Sequence, residues 1–138
     1  FMGSAKGVRL KSNASRGGVV ENCWFENIYM ADIRREAIDI QTDYGAWMAS
    51  EDGTAYPLFR NLTFRNIHCD GATDAVSMIS TEYQPIQNIT LDNVQIRARR
   101  GARFEWVNGI TLREVHVDPE DDNPPFIFNH CGGIENAD

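Results

Sequence analysis

An eleven-residue pattern occurs four times in the chain, and an internal repeat of this kind limits the architecture more than any other feature. The copies are Val20 to Met30 (VENCWFENIYM), Phe59 to Cys69 (FRNLTFRNIHC), Ile86 to Ile96 (IQNITLDNVQI) and Val107 to Val117 (VNGITLREVHV). Apolar residues hold the first, fourth, sixth, ninth and eleventh places in each copy. That is strand periodicity broken twice by a step of three. A step of three reverses the inward face, so all five residues can share one core only if the chain bends at each break. The breaks carry Asn22, Asn61 and Asn88, then Asn27, Asn66 and Asn93. Asn tolerates left-handed backbone and bonds neighbouring backbone, which a sharp corner requires. In the fourth copy Gly109 serves the first corner, and Glu114 at the second marks an atypical coil.

A further strand is expected before each copy, at Val8–Lys11, Ala37–Ile40, Val76–Ile79 and Arg103–Trp106, with Phe126–Phe128 opening a fifth coil. Three short strands per turn describe an all-β, right-handed parallel β-helix of about four to five coils. Copy starts lie 39, 27 and 21 residues apart, so the coils differ by insertions, the longest running from Gln41 to Pro57 with Tyr44, Trp47 and Tyr56. Insertions on one side of a solenoid commonly build its binding face. A helix would need three- and four-step spacing, which is absent. A β-sandwich would need turn dipeptides between symmetrical strand pairs, and Asp52-Gly53, Asp70-Gly71 and Asn108-Gly109 separate none. The strand at Val8 follows within a turn of Phe1 with no polar cap. A single domain over residues 1–138 is therefore expected to be the C-terminal portion of a longer β-helix.

Composition narrows the function. A net charge of −7 argues against nucleic-acid binding through general basicity. No window approaches ~18 uninterrupted apolar residues, so no membrane span is expected. Cys23, Cys69 and Cys131 are odd in number and lack a CxxC spacing, against a zinc site or a dense disulfide framework. Cys23 and Cys69 fall on apolar places of the repeat and read as small buried hydrophobes. Charge is also uneven. The first twenty residues hold Lys6, Arg9, Lys11 and Arg16 and no acid, a local charge of +4, against −11 for the rest.

The repeat together with Gly7-Val8-Arg9-Leu10-Lys11-Ser12 resembles the C-terminal coils of the polygalacturonases, pectin-degrading enzymes of glycoside hydrolase family 28. Arg9-Leu10-Lys11 is similar to that family's Arg-Ile-Lys motif, and Gly17 through Met30 follows at the expected place. Gln41-Thr42-Asp43-Tyr44 resembles the stretch ending in a substrate-contacting tyrosine. The resemblance implies that Arg9, Lys11 and Tyr44 bind a uronic-acid polysaccharide of the pectin type, without cofactor or metal. It also implies an extracellular or periplasmic inverting hydrolase as the parent, with two carboxylates ~6.5–9.5 Å apart. The family's catalytic Asn-Thr-Asp, Asp-Asp and Gly-His-Gly motifs lie upstream of Arg-Ile-Lys. Asp121-Asp122 and His130 lie downstream and cannot take their places, so no catalytic residue is assigned here. The alternative is a non-catalytic carbohydrate-binding or adhesive β-helix, since fold alone does not separate the two.

Arg9 and Lys11 lie two apart on one strand, on the same face and roughly 6.5–7 Å from each other, suited to gripping a sugar carboxylate. The competing explanation for Arg9 is structural: stacked strands place Asp39 beside it, and an ion pair would account for the arginine. Tyr44 and Trp47 are candidates for sugar stacking or for packing of their loop. His68 and His116 share one outward place but are separated by the rung of Gln95, ~10 Å in all, too far for one metal ion. Arg97, Arg99, Arg100 and Arg103 read as a solvated basic cluster. Asn13, Asn61 and Asn88 begin N-glycosylation patterns, two of which coincide with repeat corners.

Overall fold

The computed structural model describes residues 2–12, 17–42 and 56–137. Among the described residues ten strands form two parallel five-stranded sheets, and there is no helix. One sheet stacks the short strands β1 (Val8–Lys11), β3 (Glu36–Gln41), β5 (Asp74–Ile79), β7 (Arg100–Glu105) and β9 (Phe126–Asn129). The other stacks β2 (Val19–Ala31), β4 (Leu58–Asp70), β6 (Ile86–Ala98), β8 (Val107–Pro119) and β10 (Gly132–Asn136). Each coil contributes one strand to each sheet, which is a parallel β-helix.

The corner residues behave as their chemistry requires. Asn22, Asn61 and Asn88 have φ of 57°, 56° and 55°, and Asn27, Asn66 and Asn93 have 57°, 54° and 54°; Gly109 (87°) and Glu114 (50°) complete the rows. The amides also join into ladders: Asn61 donates to Asn22 (3.2 Å), Asn88 to Asn61 (3.1 Å), Asn66 to Asn27 (3.0 Å) and Asn93 to Asn66 (2.9 Å). Parallel pairing resumes in register on both sides of each bend, so in the first four coils the second and third expected segments run together as one 13-residue strand. At the opposite junction the expected strand end at Trp106 is instead a corner. Trp106 and His130 both have positive φ (55° and 54°), and their rings stack at 4.2 Å.

Side chains line up in columns because parallel pairing repeats the inward face at every rung. Phe25, Phe64, Leu91 and Leu112 form one column, and Cys23, Leu62, Ile89, Ile110 and Ile134 another. The short sheet contributes Val8, Ile38, Val76, Ala102 and Phe126, then Leu10, Ile40, Met78, Phe104 and Phe128. Middle rungs are sealed, with Leu62, Phe64, Leu91 and Ile110 fully buried. Cys23, Phe25 and Ile28 at one end and Val115 and Val117 at the other are half-buried. The repeat alignment is therefore correct residue for residue. Cys23, Cys69 and Cys131 are free thiols. Cys69 is buried as expected, whereas Cys23 is only half-buried because its rung has a packing neighbour on one side.

Candidate binding site

Val8 and Leu10 point into the core columns, so Arg9 and Lys11 point outward from β1. Pairing continues their columns across the short sheet as Arg9, Asp39, Ser77, Arg103, Ile127 and Lys11, Gln41, Ile79, Glu105, Asn129. The structure thus brings two of the three expected binding residues onto one face. The third, Tyr44, lies outside the described residues, as does Trp47. The start of its segment is fixed: Thr42, buried, shares a 2.7 Å hydroxyl hydrogen bond with Ser80, whose hydroxyl also donates to the Gln84 carbonyl at 2.6 Å when Thr42 donates to it.

The Arg9–Asp39 pairing exists, but it is not the principal interaction of Asp39. The Asp39 side chain has no solvent exposure, and its Oδ2 accepts a 2.5 Å hydrogen bond from Lys6 Nζ. Lys6 also lies 3.4 Å from Glu36 Oε2. Arg9 Nε stands 3.6 Å from the same Asp39 oxygen, with 34% of its side chain exposed. A buried carboxylate is costly unless paired, and the short charge-assisted bond from Lys6 supplies that compensation. Sequence reasoning did not identify Lys6 as a member of this group. Its signal was indirect: Asp39 in the apolar run Ala37-Ile38-Asp39-Ile40 demands a cation, and Lys6 precedes the paired strand.

The other charged candidates resolve into neighbouring ion pairs. Arg97 bonds Asp70, Arg100 Nε lies 2.7 Å from Asp74, Arg103 lies 3.1 Å from Glu105 and Arg99 lies 3.8 Å from Glu120. The arginine cluster is therefore charge-compensated. An open groove of about 330 Å³ runs beside the short sheet, lined by Glu36, Asp74, Ser77, Arg100, Arg103 and Ile127. On the long-sheet face His68 and His116 lie two rungs apart with Gln95 between them, and the His68 ring stacks on Tyr29. Among the described residues no group of three or more His, Cys, Asp and Glu could hold a metal ion. No helix among them is long and apolar enough to cross a membrane.

Comparison with known proteins agrees with the parallel β-helix fold. The family model described as Glycosyl hydrolases family 28 matches residues 1–118. A polygalacturonase of Ralstonia solanacearum is 30% identical over 99 residues, 66% of this chain and 18% of that protein. Endopolygalacturonase D of Aspergillus niger is 41% identical over 64 residues, 46% of this chain and 13% of that protein. A polygalacturonase of Juniperus ashei is 25% identical over 109 residues, covering 78% and 22%. The chain thus spans between 13% and 22% of the length of these curated relatives. No solved structure gives a significant match.

Proposed function

The chain belongs to glycosyl hydrolase family 28, and we propose that it forms the C-terminal coils of a longer β-helix that hydrolyses a pectin-type polygalacturonate. In this reading Arg9 and Lys11, with Tyr44, hold the carboxylate and ring of one galacturonate unit. The supporting observation is the division of labour around Asp39: Lys6 compensates it at 2.5 Å, while Arg9, at 3.6 Å and one-third exposed, faces outward beside Lys11. The non-catalytic alternative is not favoured, because the relatives carry the names of hydrolases.

Hydrolysis needs a proton donor at the leaving oxygen and a carboxylate that activates water on the opposite face. Glu36 and Asp39 are buried and engaged by Lys6, so neither is offered these roles. The present residues orient the substrate, and the acid and base come from upstream coils. Action on cell-wall polymer places the full-length protein outside the cytoplasm. Reducing-end release from polygalacturonate tests the assignment. The full-length protein releases reducing ends and the 138 residues alone release none. Arg9→Ala and Lys11→Ala each weaken substrate recognition by about 1.5–3 kcal/mol, the range for hydrogen bonds to charged groups. Unchanged recognition in both variants would leave Arg9 as a structural partner of Asp39.

A further inference from the structure

We infer that the short sheet carries a second uronate subsite, built by Ser77, Arg103 and Ile127, which receives a later unit of the chain that Arg9 and Lys11 hold. This rests on the reading of Arg9 and Lys11 as uronate ligands. Strand register sets Arg9, Asp39, Ser77, Arg103 and Ile127 in one outward column. Three rungs separate Arg9 from Arg103, about 14 Å, which is more than one pyranose ring spans. The two arginines would therefore meet different units of one polymer. The open groove of about 330 Å³ runs along this part of the column, and Ser77, Arg103 and Ile127 all line it.

Each of the three offers a contact that a uronate unit can complete. The Arg103 side chain is more than half exposed, and its Nη2 donates to Glu105 at 3.1 Å. That pair compensates the charge of Arg103 but occupies one N–H group, and the rest of the guanidinium fork has no partner among the described residues. An exposed ion pair contributes little, so a ligand carboxylate can share the guanidinium or take the place of Glu105. Ser77 is half-buried, and its hydroxyl, which can donate and accept, has no hydrogen-bond partner among the described residues. It suits a ring hydroxyl beside the carboxylate. Ile127, 40% exposed, gives apolar area against which the C–H face of a pyranose leaves water. The acids of the groove do not oppose this ligand as unpaired charges, since Lys6 lies 3.4 Å from Glu36 and Arg100 lies 2.7 Å from Asp74.

The test compares kcat/KM of the full-length protein on polygalacturonate and on a galacturonate trimer. The polymer can fill both places at once, and the trimer, engaged at the bond that is cleaved, cannot. Arg103→Met is expected to lower kcat/KM about tenfold more on the polymer than on the trimer, the loss of one charge-assisted hydrogen bond, with the change falling on KM. Arg103→Lys is expected to recover part of the difference, because it returns the charge without the fork. Ser77→Ala is expected to shift the same ratio in the same direction by a smaller factor. Glu105→Gln, which releases Arg103 from its partner, is expected to leave the polymer-to-trimer ratio at or above that of wild type. An unchanged ratio in folded Arg103→Met, or equal losses on polymer and trimer, would overturn the subsite and leave the reading of Arg9 intact. Wild-type kinetics on both substrates in Arg9→Ala would instead remove the uronate reading itself.

Discussion

Replacing Asn66, at the centre of an amide ladder, separates the two reasons that asparagine holds the coil corners. Its side chain donates to Asn27 at 3.0 Å and accepts from Asn93 at 2.9 Å, and its φ is 54°. Each exposed hydrogen bond contributes near the low end of 0.5–1.5 kcal/mol, so the two together are worth about 1 kcal/mol. A left-handed residue with a Cβ and no side-chain compensation adds about 1–2 kcal/mol. Glycine avoids that strain but adds roughly 0.5–1 kcal/mol of chain entropy. Asn66→Asp keeps an acceptor for Asn93 and loses the donor to Asn27, and is expected to cost about 0.5 kcal/mol. Asn66→Gly is expected to cost about 1.5–2 kcal/mol and Asn66→Ala about 2–3 kcal/mol. Equilibrium urea unfolding with an unchanged m value measures all three. A cost for Ala at or below that for Gly would refute left-handed strain as the reason for asparagine at this corner.

Leu91, fully buried between Phe64 and Leu112, is expected to lose about 2–5 kcal/mol on truncation to Ala. Leu91→Asp, which buries an unpaired charge, is expected to abolish cooperative unfolding by circular dichroism; a melting temperature within a few degrees of wild type would contradict the stacking. Burial pushes the Cys69 thiol up to about 11, so the folded state holds this proton more tightly than the unfolded chain. The sign follows: this stabilisation is complete below pH 9 and is lost as pH rises toward 11, and Cys69→Val should flatten that part of the stability profile. A Cβ on Gly7 would overlap Met30 Sδ and the Ala37 carbonyl, so Gly7→Ala is expected to cost about 3 kcal/mol in urea unfolding. Wild-type stability would show that β1 can shift away from β3.

The parts of this fold that were legible in the sequence are those in which one residue type answers one geometric demand. Asparagine at a left-handed corner is such a case, and so is the apolar place, which fixed the columns to the residue. The corner at Trp106 and His130 was hidden because neither is a turn-forming residue; their positive φ accompanies ring stacking that exists only after coils pair. The Arg9–Asp39 pairing was legible because it follows from strand register. Arg97 beside Asp70 obeys the same rule, at the 27-residue spacing of those two coils, and could have been read in the same way. Lys6 was signalled only indirectly, by the need of Asp39 for a cation, because it precedes β1 and reaches Asp39 through a long side chain whose direction no periodicity encodes. Tyr44, expected from its aromatic insertion and from the family motif, lies outside the described residues.

Register also explains why the cation cluster stands out on an acidic molecule. Parallel pairing sets outward residues in columns, where like charges on adjacent rungs repel and opposite charges attract. The long sheet obeys this by alternation: Glu26, Arg65, Asp92 and Arg113 follow one another in one column, and Asp70, Arg97 and Asp118 in another. Such exposed pairs contribute little stability, but they leave no sign of charge concentrated on that face. Around Asp39 the alternation fails. Arg9 faces Asp39 in register, yet Lys6, from outside the register, already compensates the same carboxylate. A structure that needed only to neutralise Asp39 would have required one cation, and burying a lysine for the purpose carries its own desolvation cost. Local rules broken without a gain in stability are expected where a fold serves a ligand.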